Sequence, residues 1–255
     1  MSDSRTRSRR SSAPLVITVL LLIGVLGALT VLVGPTLLSG LRSDGSSFLT
    51  GPECVVQTAD GEVGLDRAEA KLATTAVALR ARGAEAPDTS EIDDAVLQRL
   101  TQGPEDDAGP VLSCKGSVNE ELRVEELTPS GLTPRAEQLR TAMAEVFGDQ
   151  SLGGFEPGGV GGGHGEESTH YDGRAIDVFF RPVTEENRRQ GWVLSHWLVA
   201  HAEELDIQYV IFDDQFWSAR IARGGWHPYD APAPANEILR HVDHVHVDVL
   251  RGGEV

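Results

Sequence analysis

Cysteine and basic residues are both scarce, and each scarcity limits the possible functions. The two cysteines, Cys54 and Cys114, lie in no motif typical of thiol catalysis, which disfavours that chemistry. We expect them to form a disulfide, because the N-terminal sequence predicts that both lie in an oxidising compartment. Lysine occurs twice beside twenty arginines, and the formal net charge is -17. An acidic surface repels phosphate backbones, so we expect no nucleic-acid partner.

A phosphate-binding loop is also lacking. The glycine-rich stretch 153–165 does not end in the G-K-[ST] sequence that such a loop requires. Its glycines are expected to let the backbone approach a site closely.

The N-terminus predicts a membrane segment. Four arginines within residues 1–13 precede the apolar stretch 14–38, which is long enough to cross a bilayer as a helix. The competing interpretation is a cleaved signal peptide, although no clear A-x-A-like cleavage site follows. Because the arginines should stay inside, both interpretations place the rest outside the cytoplasm. The favoured expectation is a single-pass cell-membrane protein with a cytoplasmic N-terminus and an extracellular C-terminal domain.

The rest of the chain divides by composition. Apolar residues at helical spacing, Leu65 to Leu79 and Ile92 to Leu100, predict a small helical module. The predicted order is a cytoplasmic tail 1–13, a transmembrane helix 14–38, a linker 39–53, a helical module with a disulfide 54–116, a linker 117–132 and a main domain 133–255.

In the main domain, helices and strands alternate with short links. Thr133 and Pro134 predict the start of a helix that ends at Gly148. The other predicted elements are strands at 175–180, 207–212, 216–221 and 244–250, and a helix at 184–205. This pattern favours an α+β fold with a small, mainly antiparallel sheet flanked by helices.

All eight histidines lie at or after position 164, so chemistry is expected in the main domain. One cluster places His170 on a loop before Asp177 on a strand, and the second, residues 241–249, contains His241, His244 and His246. Side chains alternate along a strand, so Asp177 should point away from the core, and His244 and His246 should point together from theirs. Two imidazoles and one carboxylate can hold a catalytic zinc ion with its fourth position open to water.

Such a site also needs a base that is not a metal ligand. His244 is favoured because it shares a strand face with His246. Asp243 has the opposite parity and would reach the site only if the strand bends at its start, and it stays the alternative.

These residues resemble a known family. The pattern S-x-H-x-x-G-x-A-x-D of zinc D-Ala-D-Ala carboxypeptidases is filled by Ser168, His170, Gly173, Ala175 and Asp177. The sequence His244-Val245-His246 is similar to the H-x-H of penicillin-insensitive murein endopeptidases, which belong to the same lysostaphin, D-Ala-D-Ala peptidase and hedgehog superfamily. The resemblance covers about residues 133–255.

The resemblance implies Zn²⁺ bound by His170, Asp177 and His246, and a peptidoglycan peptide as substrate. The carboxypeptidases carry E-x-x-H, whereas this chain has Asp243-x-x-His246, which favours the H-x-H variant. The expected function is therefore a zinc metallopeptidase that hydrolyses amide bonds in peptidoglycan peptides. Alternatives are a cell-wall-binding module with a non-catalytic zinc ion and an envelope scaffold with a vestigial site.

Other residues carry open alternatives. Arg174 can stabilise an oxyanion or be a solvated surface residue, and His164 can be a fourth ligand or a loop residue. His227 can shape a groove or pack in a loop, and Asp213 and Asp214 can orient a ligand or form a turn. The two histidines of the predicted helix, His196 and His201, are expected to be structural.

Overall fold

The centre of the fold is a six-stranded sheet in which every neighbouring pair is antiparallel. The computed structural model describes residues 51–104, 107–165 and 167–253. In spatial order the strands are β4 (Leu152–Gly153), β5 (Ala175–Phe179), β9 (His244–Val249), β6 (Ile207–Phe212), β7 (Gln215–Ser218) and β8 (His227–Pro228). The predicted α+β class with antiparallel pairing is confirmed.

The two faces of the central strands differ in chemistry. Val245, Val247 and Val249 alternate along β9 with His244, His246 and Asp248, and all six are buried. The valines, with Ile176 and Val178 of β5, join the hydrophobic core. The other face therefore carries buried polar side chains, and these side chains require hydrogen-bond, ionic or metal partners.

Two helices of the main domain begin where the sequence predicts. Helix α3 (Pro134–Phe147) has Thr133 as its N-cap and proline in its first turn. Helix α4 (Glu185–Ala200) is capped by the Thr184 side chain, which accepts from the backbone N–H of Asn187. It ends earlier than the predicted residue 205, and its last ten residues are buried.

The expected small helical module proves to be mixed. It contains β1 (Cys54–Thr58), β2 (Gly61–Leu65), α1 (Arg67–Ala81), α2 (Asp94–Gln102) and β3 (Leu112–Cys114). The strands form a second sheet in the order β2-β1-β3. The helical prediction is corrected because two short strands form a hairpin, and one of them, β1, also pairs with a strand about sixty residues away.

The predicted disulfide is present. Cys54 and Cys114 face each other across β1 and β3 and are joined by an S–S bond. In the chain-entropy view, a cross-link over 60 residues contributes about 4 kcal/mol to stability. Buried residues from 54–116 and from 133–255 belong to one core cluster, and the chain from Pro52 onward forms one compact unit.

The membrane prediction is corrected. In the described part of the chain, no helix has both the length and the apolar character needed to cross a membrane. The predicted transmembrane helix 14–38 and tail 1–13 lie outside the described residues. The fold class and the location predicted from the sequence are wrong in so far as they include a membrane-spanning helix.

Candidate metal centre

The pairing of β5 with β9 brings the two predicted clusters together. Asp177 and His246 are direct partners in the antiparallel register, as are Phe179 and His244. Partners in such a pair project from the same face. A carboxylate and two imidazoles from segments nearly seventy residues apart therefore meet over the polar face of the sheet.

The three predicted metal ligands approach closely. His170 Nε2 lies 3.1 Å from His246 Nδ1 and 3.3 Å from Asp177 Oδ1, and His246 Nδ1 lies 3.1 Å from the same oxygen. A tetrahedral zinc ion with bonds of about 2.0–2.1 Å keeps its ligand atoms roughly 3.3 Å apart. The observed triangle therefore has the dimensions that three ligands of one zinc ion require.

The backbone carbonyl of Gly154 orients His170. The carbonyl oxygen accepts from His170 Nδ1 at 2.7 Å, which leaves the lone pair of Nε2 directed at the triangle. Gly154 has φ of 79°, and a Cβ there would lie 2.2 Å from Cε1 of His170. Only glycine permits this approach, in agreement with the expected role of the glycine-rich stretch.

The electrostatics favour a bound cation. Burial alone would raise the pKa of Asp177, but hydrogen bonds with His170 and His246 outweigh it and hold the pKa well below its usual range. Burial lowers the pKa of His246, although Asp177 opposes this. Asp177 is thus ionised and His246 neutral. The lone pairs that converge on the triangle would repel one another without a proton or cation between them.

His244 lies beside the triangle with its own carboxylate partner. Its Nε2 is 3.7 Å from Asp177 Oδ1, and its Nδ1 donates to Asp243 Oδ1 at 2.7 Å. Arg181 holds the other oxygen of Asp243 through Nη2 at 2.6 Å and Nε at 2.7 Å. Asp243 therefore contacts the back of the His244 ring and not the triangle, as the strand parity indicates.

Two further histidines surround the centre. His164 offers a ligand atom within 4.8 Å of those of His170 and Asp177, and its ring stacks on that of His170 at 4.1 Å. The ring of His241 lies 4.8 Å from that of His244 and 5.6 Å from that of His246. The clustering of histidines in the sequence indicated that both could belong to a site. The position of the His164 side chain was not predictable, because its loop has no periodicity.

Arg174 fits neither role considered for it. It is buried, donates to the carbonyl of Val249 at 2.6 Å and lies 3.6 Å from Asp248 Oδ2. Asp248 is fully buried, and burial raises its pKa to about 7 despite the opposing charge of Arg174. Arg174 ties the loop that carries His170 to β9, and it is neither a solvated surface residue nor an oxyanion donor.

Asp213 and Asp214 form a turn and do not orient a ligand. Both have positive φ, 53° and 57°, and they make the two-residue link of the β6–β7 hairpin. Asp213 pairs with Arg188, and Asp214 pairs with Arg240.

The remaining histidines, His196, His201 and His227, do not contact the three predicted metal ligands. His227 is exposed on β8. His196 Nε2 accepts the backbone N–H of Val111 at 3.0 Å, and His201 Nδ1 donates to Trp197. The last two contacts are structural ones.

Comparison with known protein families gives a match to part of the chain. The family described as "VldE, C-terminal domain" matches residues 128–237, which are less than half of the chain. This range includes His164, His170 and Asp177 but ends before β9. No curated protein and no solved structure shows significant similarity to the chain.

Proposed function

We propose that this protein is a zinc metallopeptidase that hydrolyses an amide bond in peptidoglycan peptides. The observation that carries the proposal is the triangle of His170 Nε2, Asp177 Oδ1 and His246 Nδ1, with sides of 3.1–3.3 Å. Two nitrogens and one carboxylate oxygen form a ligand set of catalytic zinc sites. When bound, zinc supplies Lewis acidity, which makes water nucleophilic near neutral pH.

The neighbouring residues support acid–base chemistry. Because Nδ1 of His244 donates to Asp243, its Nε2 is left to accept a proton on the side of the triangle. Asp243 fixes the orientation of that ring, and Arg181 holds Asp243 in place. In this proposal His244 is the general base, and Asp243 is a positioning residue.

The substrate class rests on resemblance. The two motifs are similar to those of zinc D-Ala-D-Ala carboxypeptidases and murein endopeptidases. Asp243 stands where the carboxypeptidases have the glutamate of E-x-x-H, but its carboxylate is held by His244 and Arg181. This arrangement favours the H-x-H variant and therefore cleavage of the endopeptidase type.

Zinc analysis and product analysis test the proposal together. The purified protein is expected to hold about one zinc ion per chain and to release defined fragments from muropeptides, measured by mass spectrometry. His170→Ala should lower both properties. His227→Ala removes an exposed imidazole and should change neither. Unchanged zinc content and unchanged cleavage in His170→Ala would refute the proposal.

A second candidate is a cell-wall-binding module with a structural zinc ion. The position of His164, with a ligand atom within 4.8 Å of those of His170 and Asp177, favours it. Structural zinc sites use four protein ligands and leave no open position. If His164 closes the site, His164→Ala should weaken zinc binding, and the unmodified protein should retain muropeptides without cleaving them. If the site is open, that variant should keep its zinc and its activity.

A further inference from the structure

A polar pocket lies at the end of β5, beside the candidate metal centre. Its volume is about 330 Å³. The polar side chains that line it are Arg82, Gln150, Arg181, Asn187 and Gln190, and aromatic walls come from Phe147, Phe179 and Phe180. None of its lining residues is acidic, although the chain carries a formal charge of -17. A pocket with two guanidinium groups and three amides favours an anionic ligand.

Arg181 is held rigidly at this pocket. Its guanidinium carbon lies 4.1 Å from the centre of the Phe179 ring, and Asp243 takes up its Nε and Nη2. Within the described residues, Nη1 has no hydrogen-bond partner, and the side chain is 49% exposed. The arginine therefore keeps donors for a ligand after its structural contacts are made.

Arg82 adds a second positive charge. Its Nη2 donates to the backbone carbonyl of Glu145 at 2.9 Å, which joins the end of α1 to α3. In the part of the chain that the structure describes, no carboxylate lies within 4.0 Å of this guanidinium. Its charge is thus not neutralised by a neighbouring side chain.

The pocket is within reach of a substrate bound at the metal centre. Phe179 lines the pocket, and its ring lies 5.6 Å from that of His244. Since Arg181 stacks on the same ring, its guanidinium is about 10 Å or less from the proposed base, a distance that about three residues of an extended peptide span. One ligand can therefore occupy both places.

We propose that this pocket, with Arg82 and Arg181, is a subsite for a carboxylate of the substrate peptide, about three residues or fewer from the cleaved bond. This inference rests on the proposed function, because it takes the ligand to be a peptidoglycan peptide. The chemical class is an acidic peptide with a free carboxylate, which the guanidinium groups bind and the amides of Gln150, Asn187 and Gln190 surround.

Binding measurements test the subsite separately from hydrolysis. The zinc-loaded full chain with His244→Ala lacks the proposed base but keeps the three ligands, so a bound peptide is not consumed. Isothermal titration compares a synthetic stem peptide with free carboxylates and the same peptide with carboxamides. We expect the free acid to bind about tenfold more tightly, as one charged hydrogen-bonded contact provides.

Matched arginine variants locate the effect. Arg82→Gln in the same protein should reduce the preference for the free acid to about threefold or less, and so should Arg181→Gln. Arg220→Gln removes an equal charge at an exposed site outside the pocket and should leave the preference unchanged. Melting temperature and zinc content confirm that each variant is folded. Equal binding of acid and amide, or a preference that both Arg82→Gln and Arg181→Gln leave intact, would overturn the subsite.

Hydrolysis by the unmodified protein gives an independent result. Cleavage without any preference for the free acid would refute the subsite and support the proposed function. Preferential binding of the acid without cleavage would support the subsite and refute the proposed function.

Discussion

Two pairs of buried or half-buried histidines in this chain have opposite surroundings. His170 and His246 direct nitrogens at each other and at Asp177, all within 3.3 Å. His196 lies on helix α4, His201 is the C-cap residue of that helix, and both hydrogen-bond to backbone groups. Burial lowers the pKa of His196 to about 3 and that of His201 to about 4. Full or partial burial is thus common to both pairs of histidines, and only convergence on a carboxylate distinguishes the candidate metal centre.

Removing the carboxylate charge should have the largest effect. Asp177→Asn leaves the size of the side chain unchanged but removes the anion that the two imidazoles face, so zinc affinity should fall by more than about 100-fold. Competition with a chromogenic chelator measures this. Asp172→Asn, an exposed position in the same motif, is the control and should bind zinc normally. Equal zinc affinities in the two variants would remove the distinction between the two pairs of histidines.

Displacing His170 without removing it should have the next largest effect. Gly154→Ala places a methyl group 2.2 Å from the imidazole and requires an unfavourable φ of 79°. Loss of an orienting contact of this kind lowers metal affinity about 10- to 100-fold. Gly161→Ala lies in the same glycine-rich stretch, meets nothing within 4 Å and should bind zinc as the unmodified protein does. If Gly154→Ala binds zinc equally well, the carbonyl of Gly154 does not position this ligand.

Substitution of His196, one of the two structural histidines, should change the stability of the fold and not its metal binding. The pKa of His196 is about 3 in the folded state and about 6.5 when unfolded, so the unfolded chain binds the extra proton between these values. Its stabilising contribution is complete above pH 6.5 and decreases as the pH falls toward 3, by about 1.4 kcal/mol per pH unit.

His196→Leu removes this pH dependence. The difference between its unfolding free energy and that of the unmodified protein should change with this slope in urea titrations from pH 4 to 6. At neutral pH the variant should be about 1–3 kcal/mol less stable, because the backbone N–H of Val111 loses its acceptor. Loss of zinc in this variant would contradict the assignment of His196 as structural.

The smallest effect is expected for the hydroxyl of Tyr209. Its ring stacks on that of His246 at 5.6 Å, and its hydroxyl lies 3.4 Å from that of Thr169. Tyr209→Phe keeps the stacked ring, so zinc affinity should change less than about tenfold. Tyr209→Ala, which removes the ring as well, should weaken binding further. The same affinity in both variants would show that the stacked ring does not support His246.

Strand alternation was enough to predict that Asp177 and His246 leave their strands on the polar face, because each lies between buried apolar residues. The exact partners were not predictable, since the register that pairs β5 with β9 depends on the whole sheet. The β1–β2 hairpin was missed because its strands have five residues each and the neighbouring alanine-rich helix dominates the pattern. The contact of Arg181 with Asp243 joins residues that are 62 positions apart, so no local sequence pattern could predict it.

A crystal structure of the zinc-loaded protein, with anomalous scattering recorded at the zinc edge, tests the central claim most directly. The account predicts one ion about 2.0–2.2 Å from His170 Nε2, Asp177 Oδ1 and His246 Nδ1, with water as the fourth ligand. An ion whose fourth ligand is His164 would contradict the catalytic account. Anomalous density outside the triangle would contradict the metal centre itself.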